Sequence, residues 1–234
     1  MTQLGNAAPQ AGGGVHKATV EALAKRILDG TYGEGDVLSL ADLMAELDVT
    51  QTMAREAIKV LAAKGLVDAR QKGDSLVRPR EDWNLLDGDV LRWKLAAGAS
   101  SDFFADLLEL RRSIEPAAAA LAAERRTDDD LAALESALGA MGAADRDPAL
   151  LVHADASFHT AMLLASNNRF YAQLHRVIVP VLIQRGRSVH DGSGEFEHPY
   201  AAHAAVVEAV RNRDVDGAYM ATLELLDKSA REHP

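Results

Sequence analysis

The sequence predicts a mostly α-helical protein with an N-terminal winged helix-turn-helix and a C-terminal all-helical bundle of six to seven helices. Apolar residues make up 48% of the chain and aromatic residues only 5%. The apolar part is dominated by alanine and leucine, which favour helices. Residues 39–77 begin with two short amphipathic segments. A basic, glycine-bearing turn follows them, with a short apolar segment on each side of the turn. From Ser101 onward the apolar residues keep a helical spacing.

We expect the 234 residues to form a disordered tail over residues 1–14, a winged helix-turn-helix domain over residues 15–79 and a helical domain over residues 80–234. The tail lacks the basic start and apolar centre of a signal peptide. No run of about 18 uncharged apolar residues occurs, so we expect a cytoplasmic protein without a membrane partner. The absence of cysteine excludes a disulfide scaffold and thiolate metal sites.

The first domain should begin with a helix from His16 to Leu28. A second short helix follows Ser39, which is placed as its N-cap three residues before an acidic side chain. A third helix follows Thr50, whose hydroxyl can accept from a free N–H of the first turn. Two antiparallel wing strands are predicted at residues 66–69 and 75–77.

The helix after Thr50 has the pattern of a DNA recognition helix. Its apolar residues recur at spacings of three or four and should face inward, whereas its polar residues fall on the other face. Glutamine can pair with adenine, arginine with guanine, and threonine with a base or a phosphate. An ordinary amphipathic surface helix is the alternative. The predicted DNA-binding residues are Ser39, Thr50, Gln51, Thr52, Arg55, Lys59, Arg70, Lys72 and Gly73.

The net charge of −10 is unevenly distributed along the chain. Residues 1–80 contain ten basic and ten acidic residues, so the excess of acidic residues lies entirely in residues 81–234. The basic residues of the first part concentrate in the recognition helix, the wing and the segment after the wing. Local positive charge is what neutralises phosphates, so the overall acidity does not exclude DNA binding.

The second domain should open with a linker and helix over residues 80–98, which carry Trp83 and Trp93 ten positions apart. We interpret these tryptophans as packing anchors. Further helices are predicted at residues 103–124, 128–141, 148–166, 170–188, 199–212 and 214–231. Pro116 and Pro180 fall inside two of them and are expected to bend them.

A candidate ligand site lies on the helix over residues 148–166. Asp155 and His159 are four residues apart, so both project from one face, and His203 lies on another helix. A carboxylate and two imidazoles can hold Zn²⁺ or Ni²⁺. From the residues alone, a hydrogen-bonded Asp/His pair without a metal is the alternative.

The N-terminal part carries an ordered motif, which comprises Gly35-Asp36-Val37-Leu38-Ser39, Leu43, Leu47-Asp48-Val49, Arg55-Glu56-Ala57, Leu61, Gly65-Leu66-Val67 and Gly73. With this motif, residues 16–78 resemble the N-terminal domain of GntR-family transcription regulators. The order of helices after residue 83 resembles the effector-binding FCD-type domain of the FadR branch of that family, and residues 83–93 resemble its sugar-acid repressors. The resemblance implies a repressor that binds a double-stranded DNA operator as a homodimer.

The family usually has an arginine at the position of Gln51, which leaves the operator preference open. The resemblance also implies that Asp155, His159 and His203 are metal ligands. Relatives carry a third histidine where Leu225 stands here, so we expect a divalent metal such as Zn or Ni to be held by three protein ligands.

Arg111 and Asn168 match residues that line the effector pocket in relatives. Arg111 can clamp a carboxylate through two parallel hydrogen bonds, although an ion pair with Glu115, four residues on, is the alternative. An arginine and a metal in one cavity imply a small anionic effector. The linker resemblance points to a sugar acid such as an aldonate.

Two other functions are compatible with parts of the sequence. A metal-dependent hydrolase or lyase could use Asp155, His159 and His203, but the sequence has no nucleophile elbow, phosphate loop or His-Glu-x-x-His helix, so we do not expect an enzyme. A regulator of the same family with a fatty-acyl ligand or no ligand is the second alternative. The polar set argues against an acyl tunnel.

Overall fold

The computed structural model describes residues 12–69, 74–144, 147–189 and 198–232. The chain forms two compact units, Met1–Gly98 and Ala99–Pro234. Both are rich in helices, which confirms the predicted fold class. Of the predicted tail, residues 1–11 lie outside the described residues, and residues 12–14 belong to the first helix. Within the described ranges, no helix is long and apolar enough to cross a bilayer.

The first unit is a winged helix-turn-helix with a three-stranded sheet. The sheet order is β1-β3-β2, with both pairs antiparallel. Strand β1 was not predicted, because three residues carry no periodicity and it forms only by pairing Leu38 with Ser75 on the distant wing strand. The elements are α1 (Gly12–Leu28), β1 (Val37–Ser39), α2 (Leu40–Leu47), α3 (Gln51–Ala63), β2 (Val67–Ala69), β3 (Asp74–Val77), a 3₁₀ turn (Arg80–Asp82) and α4 (Gly88–Ala96).

Both predicted helix caps of the first unit are formed. Ser39 Oγ accepts from the Asp42 N–H, and Thr50 Oγ1 accepts from the Met53 N–H, each at 3.4 Å. The apolar face of α3 is buried as predicted, except that Met53 is only half-buried. This face joins a core that α1, the wing and α4 complete, so the sequence around Thr50 fixes both the start of α3 and the side it buries.

Helix α4 packs within the first unit, whereas the sequence analysis assigned residues 80–98 to the second domain. Trp83 and Trp93 are buried in the same core as α1 and α3, in keeping with their predicted role as anchors. The Trp83 indole N–H donates to the Arg78 carbonyl at 3.2 Å. The boundary of the compact unit is therefore at Gly98, because both tryptophans bury their rings before it.

The second unit contains seven helices in its described residues, which agrees with the predicted number of six to seven. The set differs, because the predicted helix of residues 80–98 belongs to the first unit and one predicted helix is divided into two. The helix predicted over residues 170–188 is split at Leu174, whose N–H closes a tight turn with the Tyr171 carbonyl. No glycine or proline marks this break. Pro116 and Pro180 lie inside α5 and α9. The helices are α5 (Ser101–Arg125), α6 (Asp128–Ala143), α7 (Pro148–Ala165), α8 (Arg169–Gln173), α9 (His175–Val189), α10 (Tyr200–Arg211) and α11 (Val215–Glu232).

Gly65 should be indispensable for the first unit. Its φ is +81°, and a Cβ built there would lie 2.6 Å from the Asp82 carbonyl oxygen. We expect Gly65→Ala to cost more than the roughly 1–3 kcal/mol of a strained backbone conformation alone, because backbone must also move. Urea unfolding followed by tryptophan fluorescence measures this, since both tryptophans of the chain belong to the first unit.

Gly30→Ala is the matched control, because Gly30 also has a positive φ, +84°, but a Cβ added there would meet nothing within 4 Å. It should show only the cost of the backbone conformation. Equal losses for Gly65→Ala and Gly30→Ala would contradict the close approach between Gly65 and Asp82.

The ion pairs of Lys64 should make the first unit sensitive to pH. Lys64 Nζ lies 2.8 Å from Asp87 and 2.9 Å from Asp89. Burial opposes ionisation of Asp87, but its bonds to Lys64 outweigh burial and lower its pKa. Hydrogen bonding to Lys64 lowers the pKa of Asp89. Burial also opposes the Lys64 charge, and the two carboxylates outweigh it and raise the pKa of Lys64.

We therefore expect Lys64→Met to destabilise the first unit by about 1 kcal/mol between the ordinary pKa values of 3.8 and 10.5. The difference should vanish as the pH falls through the lowered pKa values of the two aspartates, because they are then protonated in both states. Lys94→Met on α4 is the control, since burial lowers the pKa of Lys94. Denaturant unfolding at several pH values measures the loss of unfolding free energy in each variant. The same pH dependence of this loss in Lys64→Met and Lys94→Met would refute the ion pairs.

Candidate DNA-binding surface and buried metal centre

The outer face of α3 presents the polar side chains that the sequence predicted to meet DNA. Gln51, Thr52, Arg55 and Lys59 are all exposed, and Thr50 caps the helix above them. The second helix of this motif lies in the major groove with its first residues on base edges, so these exposed side chains remain the predicted DNA contacts.

The exposed cations of α3 differ in their surroundings. Lys59 Nζ lies 2.7 Å from Glu56, whereas Arg55 has no hydrogen-bond or ion-pair partner among the described residues. Ser39 is the N-cap of α2 and is half-buried. The remaining predicted DNA-binding residues, Arg70, Lys72 and Gly73, lie outside the described residues.

In the second unit, α7 and α10 bring Asp155, His159 and His203 together. Asp155 Oδ1 lies 3.0 Å from His203 Nε2 and 3.4 Å from His159 Nε2. The three donor atoms lie within 4.8 Å of one another. The histidine side chains are 2–3% exposed and that of Asp155 is 28% exposed, so the cluster opens toward solvent at the carboxylate.

Two further buried residues, both on α5, complete the cluster. Glu115 Oε1 accepts from Arg111 Nε at 2.6 Å, and its other oxygen lies 2.7 Å from His159 Nδ1. The second contact has the distance of an ion pair but lacks hydrogen-bond alignment. Arg111 Nη2 also lies 3.2 Å from His159 Nε2. The sequence indicated Glu115 only as a helix partner of Arg111, because nothing in the sequence shows that α7 packs His159 against it.

Electrostatics hold these groups in defined charge states. Burial opposes the charge of Glu115, but Arg111 and His159 outweigh burial and lower the Glu115 pKa to about 2. Burial likewise opposes a charged His159, yet Glu115 and Asp155 raise its pKa to about 9 against the opposing effect of Arg111. The pKa of Asp155 is held well below its usual value because the two histidines outweigh burial. Two carboxylates thus face two cations in a nearly dry interior.

The donor set fits a divalent metal. His203 Nδ1 lies 2.8 Å from the Pro199 carbonyl, which can accept a proton there and leave Nε2 free toward Asp155. Glu115 lies 2.7 Å from His159 Nδ1 without an aligned hydrogen bond, and a metal would displace the proton that the raised pKa keeps on His159 when no metal is bound. Metal-ligating histidines are commonly held by a carbonyl or a carboxylate on the other ring nitrogen. The nitrogens and the oxygen that face one another are ligands suited to Zn²⁺ and Ni²⁺.

The other predicted pocket residues have different surroundings. Leu225 is buried in the apolar core that also contains Phe158, and its side chain cannot act as a fourth ligand. Asn168 caps α8 by accepting from the N–H groups of Phe170 and Tyr171.

The Arg111–Glu115 ion pair, which the sequence left as the alternative role for Arg111, is formed. Two nitrogens of Arg111 face Glu115, and the arginine side chain is 4% exposed. Its clamping of an effector carboxylate remains a prediction, since the pair already satisfies much of its hydrogen-bonding capacity.

The fold, the exposed face of α3 and the buried polar cluster together define a class of protein: a regulator with a DNA-binding unit and a helical unit. Comparison with known families identifies the family. Residues 16–77 match the bacterial regulatory proteins of the gntR family, and residues 106–228 match the FCD domain. The chain therefore belongs to the GntR family of transcription regulators, with an FCD domain, and is not an enzyme.

Individual relatives agree with this assignment. The galactonate operon transcriptional repressor of Escherichia coli is 34% identical over 91% of this chain and 93% of its own length. The repressor NanR of Salmonella newport is 31% identical over 85% of this chain and 77% of its own length. A Streptococcus agalactiae GntR structure, 27% identical, covers 92% of this chain and 99% of its own with a TM-score of 0.51.

We expect the second unit to be sensitive to the loss of one partner of the buried pair between Arg111 and Glu115. Arg111→Met leaves Glu115 without its strongest cation and should destabilise the unit by about 3–5 kcal/mol. Far-UV circular dichroism during urea unfolding measures this, because the second unit has no tryptophan.

The double variant Arg111→Met/Glu115→Met is the matched control. Replacing both partners of a buried pair by apolar side chains is often nearly neutral, so most of the lost stability should return. If Arg111→Met unfolds at the same urea concentration as the unchanged protein, the pair does not stabilise the unit.

Proposed function

We propose that this protein is a homodimeric repressor that leaves its operator when a sugar acid, an aldonate, binds the buried cluster of its second unit. The observation that carries the proposal is the convergence of Asp155, His159 and His203 in one site. The chain also shares 34% identity with a relative named as the galactonate operon repressor.

The DNA side of the proposal rests on α3 and the wing. The exposed side chains from Gln51 to Lys59 would enter the major groove, and Arg70, Lys72 and Gly73 would meet the adjacent backbone. Ser39 and Thr50 each occupy one N–H group of the first turn of α2 and α3, and the remaining N–H groups of these turns would donate to a phosphate. Two copies are required because this motif recognises half-sites related by two-fold symmetry.

The effector side rests on a bound divalent metal, Zn²⁺ or Ni²⁺. Asp155, His159 and His203 would hold it as three protein ligands, and such a site keeps positions open for water or a ligand. When bound, the metal supplies a Lewis acid that a carboxylate and its α-hydroxyl can chelate together. This chemistry selects hydroxy-acids over simple acids, and an aldonate meets it.

Arg111 and Asn168 complete the proposed effector pocket with different roles. Arg111 lies 3.2 Å from His159 Nε2, so it is placed beside the metal and can attract an anion, although Glu115 offsets its charge. Asn168 has its carbonyl oxygen engaged as the cap of α8, which leaves its amide NH₂ as the group for an effector hydroxyl.

Release of DNA would follow from a population shift. An effector changes DNA affinity only by binding one arrangement of the protein better than another. The metal-bound acid would stabilise the arrangement that does not fit a two-fold operator. Because Arg111, Glu115, His159 and His203 are buried, an acid that enters the cluster must change the packing of the helices around it. This change would favour one arrangement of the protein over another.

A titration of operator binding tests the proposal. Fluorescence anisotropy with DNA from upstream of the protein's own gene is followed while aldonic and uronic acids are added, with Zn²⁺ or Ni²⁺ present and with a chelator. We expect specific DNA binding that one acid reverses. In the presence of the chelator, the same acid should no longer reverse it. His203→Ala should still bind DNA but should require at least about tenfold more acid.

His153→Ala is the matched control, since His153 is exposed on α7 and should leave both DNA binding and the acid response unchanged. Absence of specific binding would contradict the repressor. Specific binding that no acid reverses would contradict the effector class. A full response in the presence of chelator would contradict the metal.

A further inference from the structure

The exposed face of α3 combines groups with different recognition chemistry. Lys59 is a cation tied to Glu56 at 2.7 Å, and Arg55 is a cation with no partner among the described residues. Gln51 is the first residue of α3, directly after the Thr50 cap, and is also exposed. An uncharged amide gains less from phosphate charge than a cation does, whereas its adjacent donor and acceptor suit the edge of a base in the major groove.

We infer that Gln51 and Arg55 together set the operator sequence, with Gln51 selecting adenine and Arg55 selecting guanine. This inference rests on the proposed placement of α3 in the major groove. The glutamine amide has one acceptor and one donor group, which match the N6 donor and N7 acceptor of adenine. Guanine offers two acceptors, N7 and O6, on that edge. One of these acceptors would face the amide oxygen of glutamine, and two acceptors cannot form a hydrogen bond with each other.

If the axis of α3 follows the direction of the major groove in the proposed placement, the spacing of the two residues sets the spacing of the bases. Gln51 and Arg55 are four residues apart, which is about 6 Å along a helix axis. Successive base pairs are about 3.4 Å apart. Each half-site should therefore contain an adenine and a guanine about two base pairs from each other. Lys59, two turns from Gln51 and paired with Glu56, is assigned to the phosphate backbone, which positions the helix without selecting bases.

Selection of binding sites from a random DNA pool tests this inference without effector. We expect the full-length protein to enrich a two-fold site with adenine at one position of each half-site. Gln51→Arg should change that base to guanine and leave the remaining positions unchanged, with a preference on the order of 5- to 150-fold. Arg55→Ala should relax the guanine position, whereas Lys59→Gln should weaken all sites alike.

Gln173→Arg, which adds the same charge at an exposed position of α8 in the second unit, is the matched control and should select the unchanged site. Replacing the selected adenine by 7-deazaadenine should weaken binding by the unchanged protein about fivefold and should not affect Gln51→Ala. Enrichment of one site by both the unchanged protein and Gln51→Arg overturns the inference. Failure to enrich any site overturns the DNA-binding proposal as well.

Discussion

The second unit depends on one buried carboxylate, Glu115, which faces two cationic side chains at once. It is fully buried, accepts from Arg111 at 2.6 Å and lies 2.7 Å from His159. Without it, an arginine and an imidazole would share a nearly dry interior with only Asp155 to balance them. A buried charge that loses its partner costs several kcal/mol, so Glu115 allows a polar cluster to exist inside an apolar bundle.

The sequence predicted most of the fold because its signals are local. Hydroxyl caps at Ser39 and Thr50, and the apolar spacing of α3, act within one or two helical turns. The failures have non-local causes. Strand β1 exists only through its pairing with β3. Helix α4 was assigned to the wrong side of the boundary because the burial of Trp83 and Trp93 against α1 and α3 cannot be read from their spacing.

The candidate site residues were also predictable where the signal is local and not where it depends on packing between distant segments. Asp155 and His159 are four residues apart on one helix, so their common face follows from helical geometry. The approach of His203 came from family resemblance, and the structure places it 3.0 Å from Asp155. The contact of Glu115 with His159 joins α5 to α7, two helices separated in the chain by α6, and no local pattern indicates it.

Under the proposed function, the position of α4 limits how a ligand signal can reach DNA. Lys64, at the end of the recognition helix α3, is held by Asp87 and Asp89 at the start of α4. Its ammonium also lies 5.7 Å from the centre of the Trp93 ring, within the range of a cation–π contact. Recognition helix and α4 are therefore one packed body that ends at Gly98. A signal from the second unit must act on this body as a whole, because displacing α4 alone would break the ion pairs that hold it to α3. In the homodimer proposed above, changing the placement of two intact DNA-binding units requires no such loss, so it is the less costly way to weaken binding to a two-fold operator.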